Sequence, residues 1–332
     1  MRPHVLRRLI PDPFLIALVF VVSLAALLPA SGTVAKAVDM AANIAIGVLF
    51  FLQGARLARE TVITGITHWR LHLLVLATTF VLFPVIGMAL HALAPRLLTE
   101  TLWIGMIFLC ALPSTVQSSI ALISIGKGNV PAAICSATGS NIIGIFITPV
   151  LVGFLLSARG EGGVDLTQVG KIVLQLLLPF IAGQILRPQI GAWVARQKPI
   201  LSMTDRGSIL LVVYSAFSAA VVNGVWQRVS TDDLIMLFVI DALLLALVLV
   251  ITAAAARILG FSKQDEVTIV FCGAQKTLAT GVPMANVLFP GAQAGVVILP
   301  LMIYHQLQLT VCAWLAQRYA RTITKAEAAP AE

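Results

Sequence analysis

The stretch VFCGAQKTLATGVPMANVLFP, residues 270–290, decides what kind of solvent this chain lives in. Its flanks are apolar, its centre is Gln275-Lys276-Thr277, and Gly281 and Pro283 follow within seven residues. In a water-exposed helix that lysine would be ordinary; near the middle of a bilayer it costs at least ~2.5–3.5 kcal/mol. Composition chooses between the two. The 332 residues are 59% hydrophobic and 11% charged, with a mean hydropathy of +0.99, whereas soluble domains carry about 25% charged residues. No soluble fold of this size encloses so much apolar surface. The apolar content recurs in blocks of about 20 residues, enough helix to cross a ~30 Å hydrocarbon layer. The sequence therefore predicts an all-α polytopic membrane protein.

Ten apolar spans are predicted, at 13–30, 38–56, 71–93, 101–126, 130–157, 167–186, 207–226, 233–256, 265–289 and 292–316. MRPHVLRRLIPDPF resembles the start of a signal peptide, but nine further spans make an uncleaved first helix the simpler reading. Ten spans put both termini on one side. Sixteen Lys and Arg fall on that side, and four (Lys36, Arg96, Arg159, Arg228) fall on the other. Positive charge accumulates in cytoplasmic loops, so the termini are expected inside, in a cytoplasmic membrane. The same preference accounts for the net charge of +8 without nucleic acid, since no basic run is interleaved with aromatics.

The chain repeats itself about halfway along. FLCALPST (108–115) and VFCGAQKT (270–277) align at an offset of 162, pairing Cys110 with Cys272 and Thr115 with Thr277. A half of five spans forces the next half to insert upside down, and inverted repeats of this kind place transporter sites where broken helices meet. The expected organisation is a first five-helix repeat at 1–157, a linker at 158–166, a second, inverted repeat at 167–320, and a cytoplasmic tail at 321–332.

The polar residues inside the spans are the candidate site. In span four, Pro113 lacks an N–H and breaks the turn before it, and Ser114, Thr115, Gln117, Ser118 and Ser119 follow. Span nine offers Gln275, Lys276, Thr277 and Thr280, with its interruption expected at Gly281 and Pro283. Lys276 lies about a dozen residues from either end, roughly 18 Å of helix, too far to snorkel easily. Asp241 in span eight is the natural partner for it; the pair could be structural or could exchange a proton or cation. Asn141 in span five and His305 in span ten complete the set.

Other chemistries find little support. GxSxG, HExxH, Walker-type and dinucleotide-binding motifs are absent, so no enzyme is expected. The four cysteines, Cys110, Cys135, Cys272 and Cys312, all lie in apolar spans without CxxC spacing and read as small buried residues.

FCGAQKTLATGVPMANVLF, LPLMIYHQLQL and FFLQGARL (50–57) resemble the bile acid:sodium symporter superfamily, in the branch typified by sodium/bile acid cotransporter 7 and its bacterial relatives. The resemblance covers nearly the whole chain. It implies ten helices in two inverted five-helix repeats, panel and core domains each drawn from both repeats, and broken helices 4 and 9 that cross. It also implies sodium bound at that crossing, here by Ser118, Ser119 and Gln275. The helix-nine motif Glu-x-Gly-x-Gln-Asn is matched at Gly273 and Gln275 but reads Phe271 for its glutamate and Lys276 for its asparagine. A helix-three glutamine corresponds to Thr79, five residues before Pro84. Exchanging a carboxylate for an ammonium argues against the usual sodium site.

The expectation is an alternating-access transporter of a small organic anion, with sodium, proton or no coupling ion and no cofactor. The alternative is a transport-inactive membrane regulator that keeps the transporter fold.

Overall fold

Backbone polar groups find no water in hydrocarbon, so a chain this apolar satisfies them within helices. The computed structural model describes residues 13–56, 68–158, 166–224, 227, 229–289 and 291–328, and contains no strand among them. In chain order the helices are α1 (Pro13–Leu27), α2 (Gly32–Arg56), α3 (Trp69–Leu93), α4 (Glu100–Ala111), α5 (Gln117–Ile125), α6 (Val130–Ala158), α7 (Leu166–Arg196), α8 (Lys198–Val222), α9 (Thr231–Ile258), α10 (Lys263–Ala274), α11 (Leu278–Leu288) and α12 (Gln293–Ala328). Six of them, α2, α3, α6, α8, α9 and α12, are long and apolar enough to cross a membrane unaided.

Helix starts follow local chemistry. Ser230 and Asp233 form a capping box at α9, the Ser230 hydroxyl accepting from the Asp233 N–H at 3.0 Å and the Asp233 carboxylate accepting in return at 2.9 Å. Ser262 caps α10 by accepting the Asp265 N–H. Glu266, on the first turn of α10, is buried and takes Arg257 of α9, Lys263 and Tyr319 of α12, tying three helices at one end.

The surface is inverted relative to a soluble protein. Large apolar side chains such as Phe20, Phe154 and Val250 face outward, while Thr79, Ser114, Ser119, Asp241, Gln275, Lys276 and Gln308 are fully buried. An apolar belt around a polar interior suits a lipid solvent.

Two groups of helices emerge from the packing. One comprises α1, α2, α7 and α8; α3–α6 and α9–α12 make the other, and the two are joined by α8 against α11 and α12 and by α7 against α6. The α2–α7 contact is the closest. A Cβ on Gly54 would strike the Phe180 carbonyl, and one on Gly183 would strike that of Phe51, so two backbones touch where only glycine fits.

Several boundaries move. α8 begins at Lys198 instead of 207, α7 continues to Arg196, and α12 runs to Ala328, into the segment expected as a tail. Charged residues at these ends extend the helices beyond the apolar runs. Most of the expected linker, 159–165, lies outside the described residues. The interruption of span nine is also displaced. It falls at Gln275–Thr277, and Gly281 and Pro283 lie inside α11. Gly281 is needed for packing instead, because a Cβ there would meet Leu301 at 2.6 Å and Leu112 at 2.8 Å.

Candidate functional site

Two helix interruptions lie against each other. α4 stops at Ala111 before the extended residues around Pro113, and α10 stops at Ala274 before Gln275. Each break frees carbonyls that hydrocarbon would leave unpaired. At the first break every carbonyl from residue 110 to 114 finds a donor. Cys110 and Leu112 accept from Lys276 Nζ, Ala111 from the Thr148 hydroxyl, Pro113 from the Thr277 N–H, and Ser114 from Asn141 Nδ2. Asn141 is therefore a scaffold residue holding the break open, as is Ser140, whose hydroxyl takes the Ser114 N–H.

The second break is closed from α12. Tyr304 donates to the Ala274 carbonyl at 2.7 Å, while Gln308 accepts the Lys276 N–H at 2.7 Å and donates to the Lys276 carbonyl at 2.9 Å. Thr277 caps α11, accepting from the Thr280 N–H. The Thr277–Pro113 hydrogen bond, at 3.0 Å, joins one break directly to the other.

Lys276 is fully buried, and among the described residues its ammonium has no carboxylate partner. Its three protons go to the carbonyls of Thr79 (2.9 Å), Cys110 (3.1 Å) and Leu112 (2.7 Å), and the Phe83 ring centroid lies 3.9 Å away. The Thr79 carbonyl is available for a definite reason. Residues 78–82 form a π turn in which the Phe83 N–H bonds back to Thr78, five residues away. The next acceptor, Thr79, would then need an N–H from residue 84, which is proline. Charge-assisted hydrogen bonds contribute about 1.5–3 kcal/mol each and a desolvated cation–π contact about 2 kcal/mol. Together these exceed the lower estimates of placing a lysine at this depth. The expected Lys276–Asp241 pair is not formed. Asp241 is fully buried on α9 with both carboxylate oxygens unbonded, and Lys276 has spent its donors on backbone.

Beside this lysine lies a cluster of oxygens. The side-chain carbonyl of Gln275 lies 2.8 Å from the Thr115 hydroxyl, 2.9 Å from that of Ser118 and 2.8 Å from that of Ser119. The hydroxyls of Thr115 and Ser118 are themselves 2.5 Å apart. One carbonyl oxygen has two lone pairs, so three hydroxyls cannot all be satisfied by it at full strength. The donor set is all oxygen and uncharged, which suits a hard monovalent cation in kind, with no carboxylate to offset its charge.

A cavity of about 580 Å³ opens against this cluster. Thr115, Gln117, Ser118, Asn141, Thr277, Thr280 and His305 line one wall; Phe14, Gln53, Arg56, Phe180, Asp205 and Arg206 line the wall contributed by α1, α2, α7 and α8. The Thr280 hydroxyl is buried and has no hydrogen-bond partner among the described residues. The matching sequence-family model, the SBF-like CPA transporter family, covers residues 12–321.

The chain belongs to that family.

A protein of Pseudomonas aeruginosa is 58% identical over 325 residues, covering 98% of both chains. YfeH of Escherichia coli, whose name carries a provisional symporter assignment, is 51% identical, over 96% of this chain and 95% of its own. Sodium/bile acid cotransporter 7 of Rattus norvegicus is 28% identical, over 95% of this chain and 96% of its own. Membership in the SBF-like CPA family and the apolar helices make the chain a multi-pass membrane protein of a transporter family, not an enzyme.

The structure gathers most of the sequence-selected residues at one place. Thr115, Gln117, Ser118, Asn141, Thr277, Thr280 and His305 line the cavity, Ser119 and Gln275 lie just behind it, and Ser114 and Lys276 belong to the breaks. Asp241 stands apart from the cavity lining. Sequence reasoning missed the opposite wall. Arg56 and Arg206 are two of the sixteen Lys and Arg assigned to the inner side, yet both lie in helices and line the cavity. Pro199, at the first turn of α8, was the available signal that this helix starts before 207.

Proposed function

We propose that the chain is a secondary transporter that moves a small organic anion across the cytoplasmic membrane by alternating access. The observation that carries the reading is the cavity wall shared by both broken helices and by the α1, α2, α7, α8 group. A solute there touches both groups of helices, so their relative motion would change which side it faces. Counting α4–α5 and α10–α11 as one broken span each gives ten spans with cytoplasmic termini. Two five-helix halves are supported by α4 and α10, which are both 12 residues long and both lead through a break into a shorter helix.

In this reading Lys276 is a built-in cation. Its ammonium takes the carbonyl oxygens that a free ion would use, much as carbonyls replace hydration in a cation filter. Coupling then falls to a proton, to a single sodium at Ser118, Ser119 and Gln275, or to no ion at all. Proteoliposome uptake of organic anions, under a sodium gradient, a proton gradient or neither, is the test. Uptake that needs Gln275 and follows one gradient supports the assignment and names the ion. If no anion accumulates under any gradient, although the protein melts cooperatively, the chain is a non-transporting regulator.

A further inference from the structure

The charge that would attract an anion does not come from Lys276. That ammonium is fully buried, its protons are committed to three carbonyls, and it is not among the cavity-lining residues. Among the described residues, the formally charged groups that line the cavity are Arg56, Asp205 and Arg206. Two of them cancel. Arg56 clasps Asp205 with both guanidinium branches, at 2.5 and 3.2 Å, the fork geometry that neutralises a carboxylate most completely. Arg206 is left as the surplus positive charge among them, its guanidinium carbon 5.7 Å from the Phe14 ring centroid, within cation–π range. A cation–π contact at that distance consumes no N–H group, so the guanidinium keeps its donors for another acceptor. Around it the lining alternates in character. Phe14, Phe180 and Ile209 are apolar, while across the cavity the buried Thr280 hydroxyl has no hydrogen-bond partner among the described residues.

We propose that Arg206 is the residue that selects for negative charge in this cavity. The ligand it fits is an amphipathic monoanion, with its acidic group on the Arg206 guanidinium and an apolar body against Phe14, Phe180 and Ile209. The excess of one positive charge sets the preference for one negative charge. A dianion would have to draw Arg56 away from Asp205 and leave that carboxylate unpaired, which disfavours it. This proposal rests on the reading of the cavity as a solute site.

The test uses two probes of one skeleton, naphthalenesulfonate and the neutral naphthalenesulfonamide, bound to the purified full chain in lipid nanodiscs and followed by calorimetry. Wild type is expected to bind the sulfonate about tenfold or more tightly than the sulfonamide. Arg206→Gln should erase that preference by weakening the sulfonate alone, and Arg206→Lys should restore part of it. Arg206 is exposed at the cavity, so both variants are expected to fold. Wild type binding both probes equally, or Arg206→Gln keeping the preference, overturns the assignment while leaving the cavity as a ligand site. An Arg206 that only anchors lipid headgroups would give the second of these results. If neither probe binds wild type, the cavity reading falls as well.

Discussion

The side-chain amide of Gln308 completes the backbone of Lys276 on both sides, accepting its N–H at 2.7 Å and donating to its carbonyl at 2.9 Å. One residue of α12 thus stands in for the two helical neighbours that Lys276 gave up at the break. Gln308→Leu is expected to leave both groups buried and unpaired, at about 1–3 kcal/mol each. The check is the melting temperature of the purified protein, which should fall clearly; an unchanged value would mean that the break holds itself without α12.

Replacing Lys276 by methionine keeps most of the volume and removes the charge. The carbonyls of Thr79, Cys110 and Leu112 then lose their common donor. The variant should be several kcal/mol less stable in buffer without small cations, and potassium or ammonium should raise its melting temperature while leaving wild type unaffected. A variant indifferent to every monovalent cation would show that the three carbonyls form no independent cation site.

Gln275 serves the oxygen cluster more than the fold. Gln275→Leu removes the shared acceptor of Thr115, Ser118 and Ser119, yet those hydroxyls still reach one another. Stability should change by only about 1–2 kcal/mol, while anion uptake per folded molecule should drop to background. Uptake retained at the wild-type level would remove the cluster from the transport path.

The contact between α2 and α7 gives a sharper structural prediction. Gly183→Val places two methyl groups against the Phe51 carbonyl, where even one Cβ does not fit. Backbone cannot give way as a flexible side chain does, so the monodisperse fraction on gel filtration should collapse. Gly47→Ala, in the same α2 helix but with nothing near the added carbon, is the control and should behave as wild type.

How legible the molecule was in its sequence varies with the physics involved. Helical class was readable because apolar blocks of membrane-spanning length suit a bilayer and little else. The polar centre was readable because a mid-span lysine must be buried among polar groups and away from lipid. Pro113 marked the first break correctly, since a missing N–H acts locally. Pro283 misled, because tertiary packing carries it within α11 while the break falls eight to six residues earlier, at Gln275–Thr277. The lysine's partners could not be read at all. Side-chain types are visible in a sequence, and carbonyls are not, so Asp241 drew attention that belonged to Thr79, Cys110 and Leu112. The second cavity wall stayed hidden for a similar reason. Whether Arg56 and Arg206 count as loop or lining depends on where helices end, which hydropathy locates poorly.

The π turn in α3 has a consequence for phase. Leu71, Val75, Thr79, Phe83 and Gly87 are all buried, one every four residues. A regular helix turns about 40° too far at each such step, so the stripe would drift by about 160° from its first member to its last. The wider turn at residues 78–82 holds back part of that drift and keeps the later half of the helix facing inward. What sets the Phe83 ring over the lysine is therefore chain length as much as residue identity. Removing one residue from 78–82 should close the wide turn into a regular one and leave that ring nearly in place, whereas adding one residue there should swing it toward lipid.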